Sequence, residues 1–176
     1  MKRTVGLIFG GRSVEHEVSL ASARTIARGL EAAGHEVIPL GIGPDGGWLA
    51  IERAREALHG EEDHLPMGGR PVTSTLSPLL EAEVDVFFPI VHGTWGEDGT
   101  LQGFCEILDR PYVGAGVTPS ALAMDKAFCK QILHSNGIPV VDYEIVTRAE
   151  FDRSESATLE QIRRFTPPLF VKPCVG

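Results

Sequence analysis

The stretch Val5-Gly6-Leu7-Ile8-Phe9-Gly10-Gly11 decides the reading of the fold. It is apolar without alternation and closes on two glycines. A strand that faces water on one side alternates polar and apolar residues, whereas one covered on both faces does not. Residues 5–9 therefore read as a buried strand of a parallel sheet. The glycines at its carboxyl end let the backbone come close to a ligand.

Working outward, residues 12–19 are polar. Leu20, Ala23, Ile26, Ala27, Leu30 and Ala33 then recur at helical spacing up to Gly34, a helix-ending glycine. Residues 37–42 form a second strand and Pro44-Asp45-Gly46-Gly47 a turn. A short helix is expected over 51–58 and a surface excursion over 60–78. Residues 84–91, Val-Asp-Val-Phe-Phe-Pro-Ile-Val, form the longest apolar run and read as a central strand ending at His92. Leu101, Phe104, Cys105 and Leu108 mark a helix packed on the sheet. A brief strand at 111–113 follows, then Thr118 as N-cap with Pro119 at the first helical position. Alternating strands and helices predict an α/β fold, a Rossmann-like parallel sheet with helices on both faces. Ligands of such sheets sit beyond the carboxyl ends of the strands, which directs attention to loops 10–19 and 92–100.

After Met124 the rhythm restarts. A helix is expected over 125–136, a strand over 143–146, a capping box in Thr147-Arg148-Ala149-Glu150, a helix over 156–165 and a strand over 169–172. Two units follow: 1–124 as a complete domain and 125–176 as the start of another.

Composition narrows the function classes. The 176 residues are 43% hydrophobic and 23% charged, ordinary for a globular chain. At this length about 70% of the unfolded surface is buried on folding, so no disulfide or metal staple is needed. The net charge is −8, with 8 basic and 13 acidic residues in the first half and 8 and 11 in the second. A net-negative chain without a Lys/Arg cluster argues against nucleic-acid binding. No apolar run nears the roughly 18–20 residues of a membrane span, and the apolar start is too short for a signal peptide. Three widely spaced cysteines without a C-x-x-C pair suggest neither a zinc site nor a redox pair, and point to the cytoplasm.

Each motif has a plain reading beside its functional one. Gly41-Ile42-Gly43-Pro44-Asp45-Gly46 matches G-x-G-x-x-G, but a turn follows where the nucleotide motif requires a helix. His16-Glu17 lacks the second histidine of H-E-x-x-H. Glu15, near a helix start, either offsets the helix dipole or accepts a ligand ammonium group. His92 opens a loop with four glycines in twelve residues, His92-Gly93-Thr94-Trp95-Gly96-Glu97-Asp98-Gly99-Thr100-Leu101-Gln102-Gly103. It is either a structural histidine or a hydrogen-bonding group for substrate. Lys126 and Lys172 are either solvated or paired with an anion such as phosphate.

Five segments taken together resemble the amino-terminal part of the D-alanine–D-alanine ligases, of the ATP-grasp superfamily. They are Gly10-Gly11-Arg12-Ser13-Val14-Glu15-His16-Glu17-Val18-Ser19; Val91 through Gly103; Tyr112-Val113-Gly114 through Met124-Asp125-Lys126; Leu133 through Pro139; and Phe170-Val171-Lys172-Pro173. Segment 44–80 is similar to that of the longer family members. The resemblance implies a Rossmann-like substrate domain at 1–124 and part of an α+β ATP-grasp domain at 125–176. It implies ATP-dependent joining of two D-alanines through an acyl phosphate, for peptidoglycan precursors, with ATP and Mg²⁺ taking part and a homodimer as the assembly. Glu15 resembles the residue that holds the first D-alanine ammonium, and His92 the histidine that lines the pocket. Lys126 and Lys172 resemble the lysines that contact ATP phosphates. No metal ligand is assigned.

The departure comes at the end. In the family, Lys-Pro is followed by three residues and then a Gly-Ser-Ser loop, whereas here Cys174-Val175-Gly176 follow Lys172-Pro173 and the glycine arrives one position early. The expectation is that the chain alone is inactive. The alternatives are a non-catalytic D-amino-acid-binding remnant, or a related ligase that uses D-lactate or D-serine as second substrate.

Overall fold

The central strand, β1 (Thr4–Gly10), is buried from Val5 onward. It pairs in parallel with β2 (Glu36–Ile42) on one side and β3 (Val86–Pro89) on the other, giving the order β2-β1-β3. Val5 stands opposite Val37 and Val86. The computed structural model describes residues 1–67 and 83–175. Of the excursion expected at 60–78, residues 68–78 lie outside the described residues, as do residues 68–80 of segment 44–80 that resembles longer ligases.

Side chains on β1 alternate between two cores, as the strand period of two requires. Leu7 and Phe9 pack with Leu20, Ala23 and Ala27 of α1 (His16–Ala32) and with Ala54 and Leu58 of α2 (Ile51–His59). Ile8 turns to the other face, where it meets Val91 and two residues of α3 (Thr100–Ile107), Leu101 and Cys105. Double coverage is the physical reason that residues 5–9 show no polar alternation.

Several expected boundaries move. The helix anticipated from Leu20 begins at His16; the polar His16 and Ser19 side chains are buried and held by tertiary hydrogen bonds. The strand expected over 84–91 shortens to β3. The strand expected at 111–113 contracts to a single parallel bridge between Phe87 and Tyr112. There Phe87 N donates to Pro111 O at 2.8 Å and Val113 N to Phe87 O at 2.9 Å. Thr118 is not a cap: α4 runs Val117–Met124, which places Pro119 within the first turn. Proline is tolerated there because first-turn N–H groups have no intrahelical acceptor.

The chain divides into two units, Met1–Ala121 and Leu122–Gly176. The second holds α5 (Lys126–Ser135), α6 (Arg148–Arg153) and α7 (Glu155–Ile162). Asp125 caps α5 by accepting from Ala127 N and Phe128 N. Both halves of the capping box between Thr147 and Glu150 are formed. The strands expected at 143–146 and 169–172 do not form. A strand needs a neighbour for its backbone groups, and neither segment finds one among the described residues. Phe170 and Val171 stay exposed.

The cysteines are unpaired, with Cys105 buried, Cys129 half-buried and Cys174 exposed. Burial, and then the neighbouring Glu106 charge, push the Cys105 thiol up to about 11. Thiolate is the reactive form. A disulfide reagent at neutral pH is therefore expected to modify Cys174 first and Cys129 more slowly. Cys105 is expected to react only on denaturation; three rapid equivalents from native protein would contradict this.

Candidate functional site

The chain leaves β1 through α1 to β2 on one side and later returns to β3 on the other. That reversal makes the gap between the carboxyl ends of β1 and β3 the topological switch point, the usual ligand crevice of a parallel sheet. Its walls are the loop after β1 and the loop after β3.

Buried polar side chains hold these walls in place. The Ser19 hydroxyl accepts from Gly10 N at 2.8 Å and donates to Ile90 O at 2.5 Å, joining the ends of β1 and β3. His16 Nδ1 lies 2.7 Å from Gly11 O, and its Nε2 lies 3.1 Å from Leu65 N. Since a carbonyl only accepts and an amide N–H only donates, the ring is the neutral tautomer with its proton on Nδ1. Neither residue takes a bracing role from its motif alone. Continuing the α1 stripe backward by four from Leu20 and Ala23 reaches positions 16 and 19, and that is the signal that marks them as inward-facing.

Glu15 lies just before α1, is exposed, and makes no side-chain cap hydrogen bond. Its backbone N donates to Ser13 Oγ at 3.0 Å. Gly93, at φ +74°, sits against it: a Cβ built there would fall 2.6 Å from Ser13 Oγ and 3.5 Å from Glu15 Oε2. The two loops thus meet where a side chain at position 93 would intrude. His92 is partly buried, with Nε2 3.4 Å from Ser22 Oγ and Nδ1 3.9 Å from Glu97 Oε1. The other Glu97 oxygen accepts from Gly93 N at 2.8 Å. Glu97 thus braces the start of its own loop. Asp98 accepts from Trp95 N at 2.8 Å and Thr100 N at 3.0 Å. Burial would raise the Asp98 carboxyl, but these backbone hydrogen bonds outweigh it and hold the group below the usual carboxylate range.

Glu15 and the His92 loop are therefore brought together in the first unit. Lys126 and Lys172 belong to the second. Lys126 is the first residue of α5, and its backbone N donates to Cys174 O at 2.9 Å, tying α5 to the segment that carries the exposed Lys172. Among the described residues no three His, Cys, Asp or Glu side chains gather as a metal site. Among the same residues no helix is long and apolar enough to cross a membrane.

A carboxylate loop and a glycine-rich loop thus meet across the switch point of a parallel α/β domain, the place where ligands of such sheets sit. The chain belongs to the D-alanine–D-alanine ligase family: the family model for the D-ala D-ala ligase N-terminus matches residues 4–115. It is 42% identical to the D-alanine–D-alanine ligase of Natranaerobius thermophilus over 182 aligned positions, covering 98% of this chain and 50% of that protein. It is 41% identical to that of Nocardia farcinica, covering 96% and 50%. Among solved structures, the D-alanine-D-alanine ligase of Coxiella burnetii superposes with a TM-score of 0.73 at 34% identity, covering 93% and 50% of the two chains. The VanG D-Ala:D-Ser ligase of Enterococcus faecalis does so at 0.70 and 31%, covering 99% and 53%. The chain spans about half the length of the relatives it matches.

Proposed function

We propose that the chain carries the first-substrate side of an ATP-dependent D-alanine–D-alanine ligase that supplies peptidoglycan precursors in the cytoplasm. Residues 1–124 form its substrate domain and residues 125–176 the beginning of its ATP-grasp region, and the working assembly is a homodimer. The observation that carries this reading is the Glu15 carboxylate at the meeting of the two switch-point loops, where a Cβ built on Gly93 would fall 3.5 Å from its Oε2.

In this reading Glu15 takes the ammonium group of the first D-alanine. An uncapped carboxylate suits that role, since charge-assisted hydrogen bonds are short and strong. Holding the ammonium fixes one end of a very small molecule and so orients its carboxylate, the group that must react. His92, with its Nδ1 face toward Glu97, lines the wall beside it. When bound, ATP supplies the phosphoryl group that activates the substrate carboxylate. Lys126 and Lys172 offer positive charge to its phosphates, and the Lys126–Cys174 backbone hydrogen bond ties the start of α5 to the segment that carries Lys172. Mg²⁺ belongs to the same family expectation.

Calorimetric titration tests the reading. D-alanine is expected to bind saturably and L-alanine not to bind over the same range; equal heats from both would reject it. Because its relatives are twice as long, the 176-residue chain is expected to release no phosphate from ATP, and D-alanine-dependent release would overturn that. The VanG D-Ala:D-Ser ligase is likewise a ligase of D-alanine. The first-substrate reading therefore holds whichever second substrate the whole enzyme joins, D-alanine, D-serine or D-lactate. A non-catalytic D-alanine-binding module would show the same titration.

A further inference from the structure

The outer wall of the crevice is crossed by a contact that involves neither Glu15 nor His92. The Arg12 guanidinium carbon lies 4.8 Å from the centroid of the Trp95 ring. Arg12 follows the glycine pair at the end of β1, and Trp95 lies in the loop after β3. The contact therefore joins the same two loops that meet at Glu15 and Gly93.

Two features of the surroundings bear on it. The stem of Arg12 rests on the 43–47 turn, where a Cβ at Gly46 would fall 2.6 Å from Arg12 Cδ. Trp95 stands at φ +72°, in the left-handed region that bulky residues seldom occupy. Asp98 holds it there by accepting from Trp95 N. Strain of this kind persists only where neighbouring contacts over-determine it. A planar, weakly hydrated guanidinium stacks on an indole face in a way that a lysine ammonium does not reproduce.

We propose that Arg12 and Trp95 are a positioning pair. Their stacked contact holds loop 92–98 against loop 10–15, and so keeps the His92 wall and the Glu15 carboxylate at one site. Its ligand consequence rests on the D-alanine reading above; its effect on the loop does not.

The full 176-residue chain serves for the test. Arg12→Met keeps the stem and removes the cation, and Arg12→Lys keeps the charge without the plane. Trp48 is buried and Trp95 is 45% exposed, so acrylamide quenching of native fluorescence reports chiefly on Trp95. In Arg12→Met, quenching is expected to rise and amide exchange at Gly93, Trp95 and Gly96 to speed up about two- to fivefold, the change matching an exposed cation–π contact. Arg12→Lys is expected to fall between parent and Arg12→Met, with an unchanged melting temperature in both variants. D-alanine affinity is expected to fall by the same factor. Unchanged quenching and exchange in Arg12→Met would overturn the proposal. So would exchange that quickens throughout the domain with a lowered melting temperature, or faster loop exchange with unaltered D-alanine affinity. A parent chain that binds no D-alanine would instead reject the substrate reading, and the exchange data would still decide whether the pair holds the loop.

Discussion

Gly10→Ala is expected to melt about 10 °C below the parent chain, a loss of about 3 kcal/mol or more for a domain of this size. Gly10 ends β1 at φ +89°, where any other residue is strained. A Cβ there would land on the Ile42 backbone carbonyl, and would also fall 2.7 Å from Leu65 Cδ1 and 3.1 Å from the His16 ring. The first obstacle is backbone of the adjacent strand, which also accepts from Gly11 N at 2.8 Å, so it cannot yield without loosening β2 from β1. The substitution strikes β1, its junction with β2 and the His16 brace together. Gly29 provides the control. It lies within α1 with nothing within 4 Å of a built Cβ, so Gly29→Ala is expected to stabilise the chain by about 0.5–1 kcal/mol through the helix preference of alanine. Thermal unfolding followed by circular dichroism checks both. Equal melting temperatures for the two variants would contradict the placement of Gly10.

Glu15→Gln is expected to weaken D-alanine binding about tenfold to a hundredfold, the range for losing a hydrogen bond to a charged group. The amide keeps the size of the side chain and removes only the charge that attracts an ammonium. Since the Glu15 carboxylate does not cap α1 by hydrogen bond, the melting temperature is expected to stay near that of the parent. Calorimetric titration of both proteins under one buffer measures the change. Undiminished heat in Glu15→Gln would remove Glu15 from the role. A collapse of stability alongside lost binding would return it to a structural one.

How much of this was legible depended on where each residue's partners lie. β1 could be read because its signal is local: an unbroken apolar run ended by Gly10-Gly11. The α1 stripe was legible from Leu20 onward for the same reason. Its first turn was not, because His16 and Ser19 look like loop residues until Gly10, Gly11, Leu65 and Ile90 are seen to satisfy them. The strands read at 143–146 and 169–172 came from apolar composition alone, and composition does not supply a neighbouring strand. In the site, Glu15 could be read equally as a helix-dipole residue or as an ammonium acceptor. What favours the second is its place at the switch point, where a Cβ built on Gly93, 78 positions further along the chain, would fall 3.5 Å from its Oε2. The Arg12–Trp95 contact spans a similar distance and leaves no periodic trace. The family resemblance, by contrast, rested on several ordered segments at once and needed no contact to be visible.

The central claim is that the crevice between the ends of β1 and β3 takes D-alanine at Glu15. The amide NMR spectrum of the ¹⁵N-labelled chain, recorded during a D-alanine titration, tests this most directly. Saturable shifts are expected at the amides of Gly11, Ser13, Glu15, His92 and Gly93, and their loss in Glu15→Gln. Shifts confined to residues outside these two loops, or no saturable shift at all, would contradict the claim.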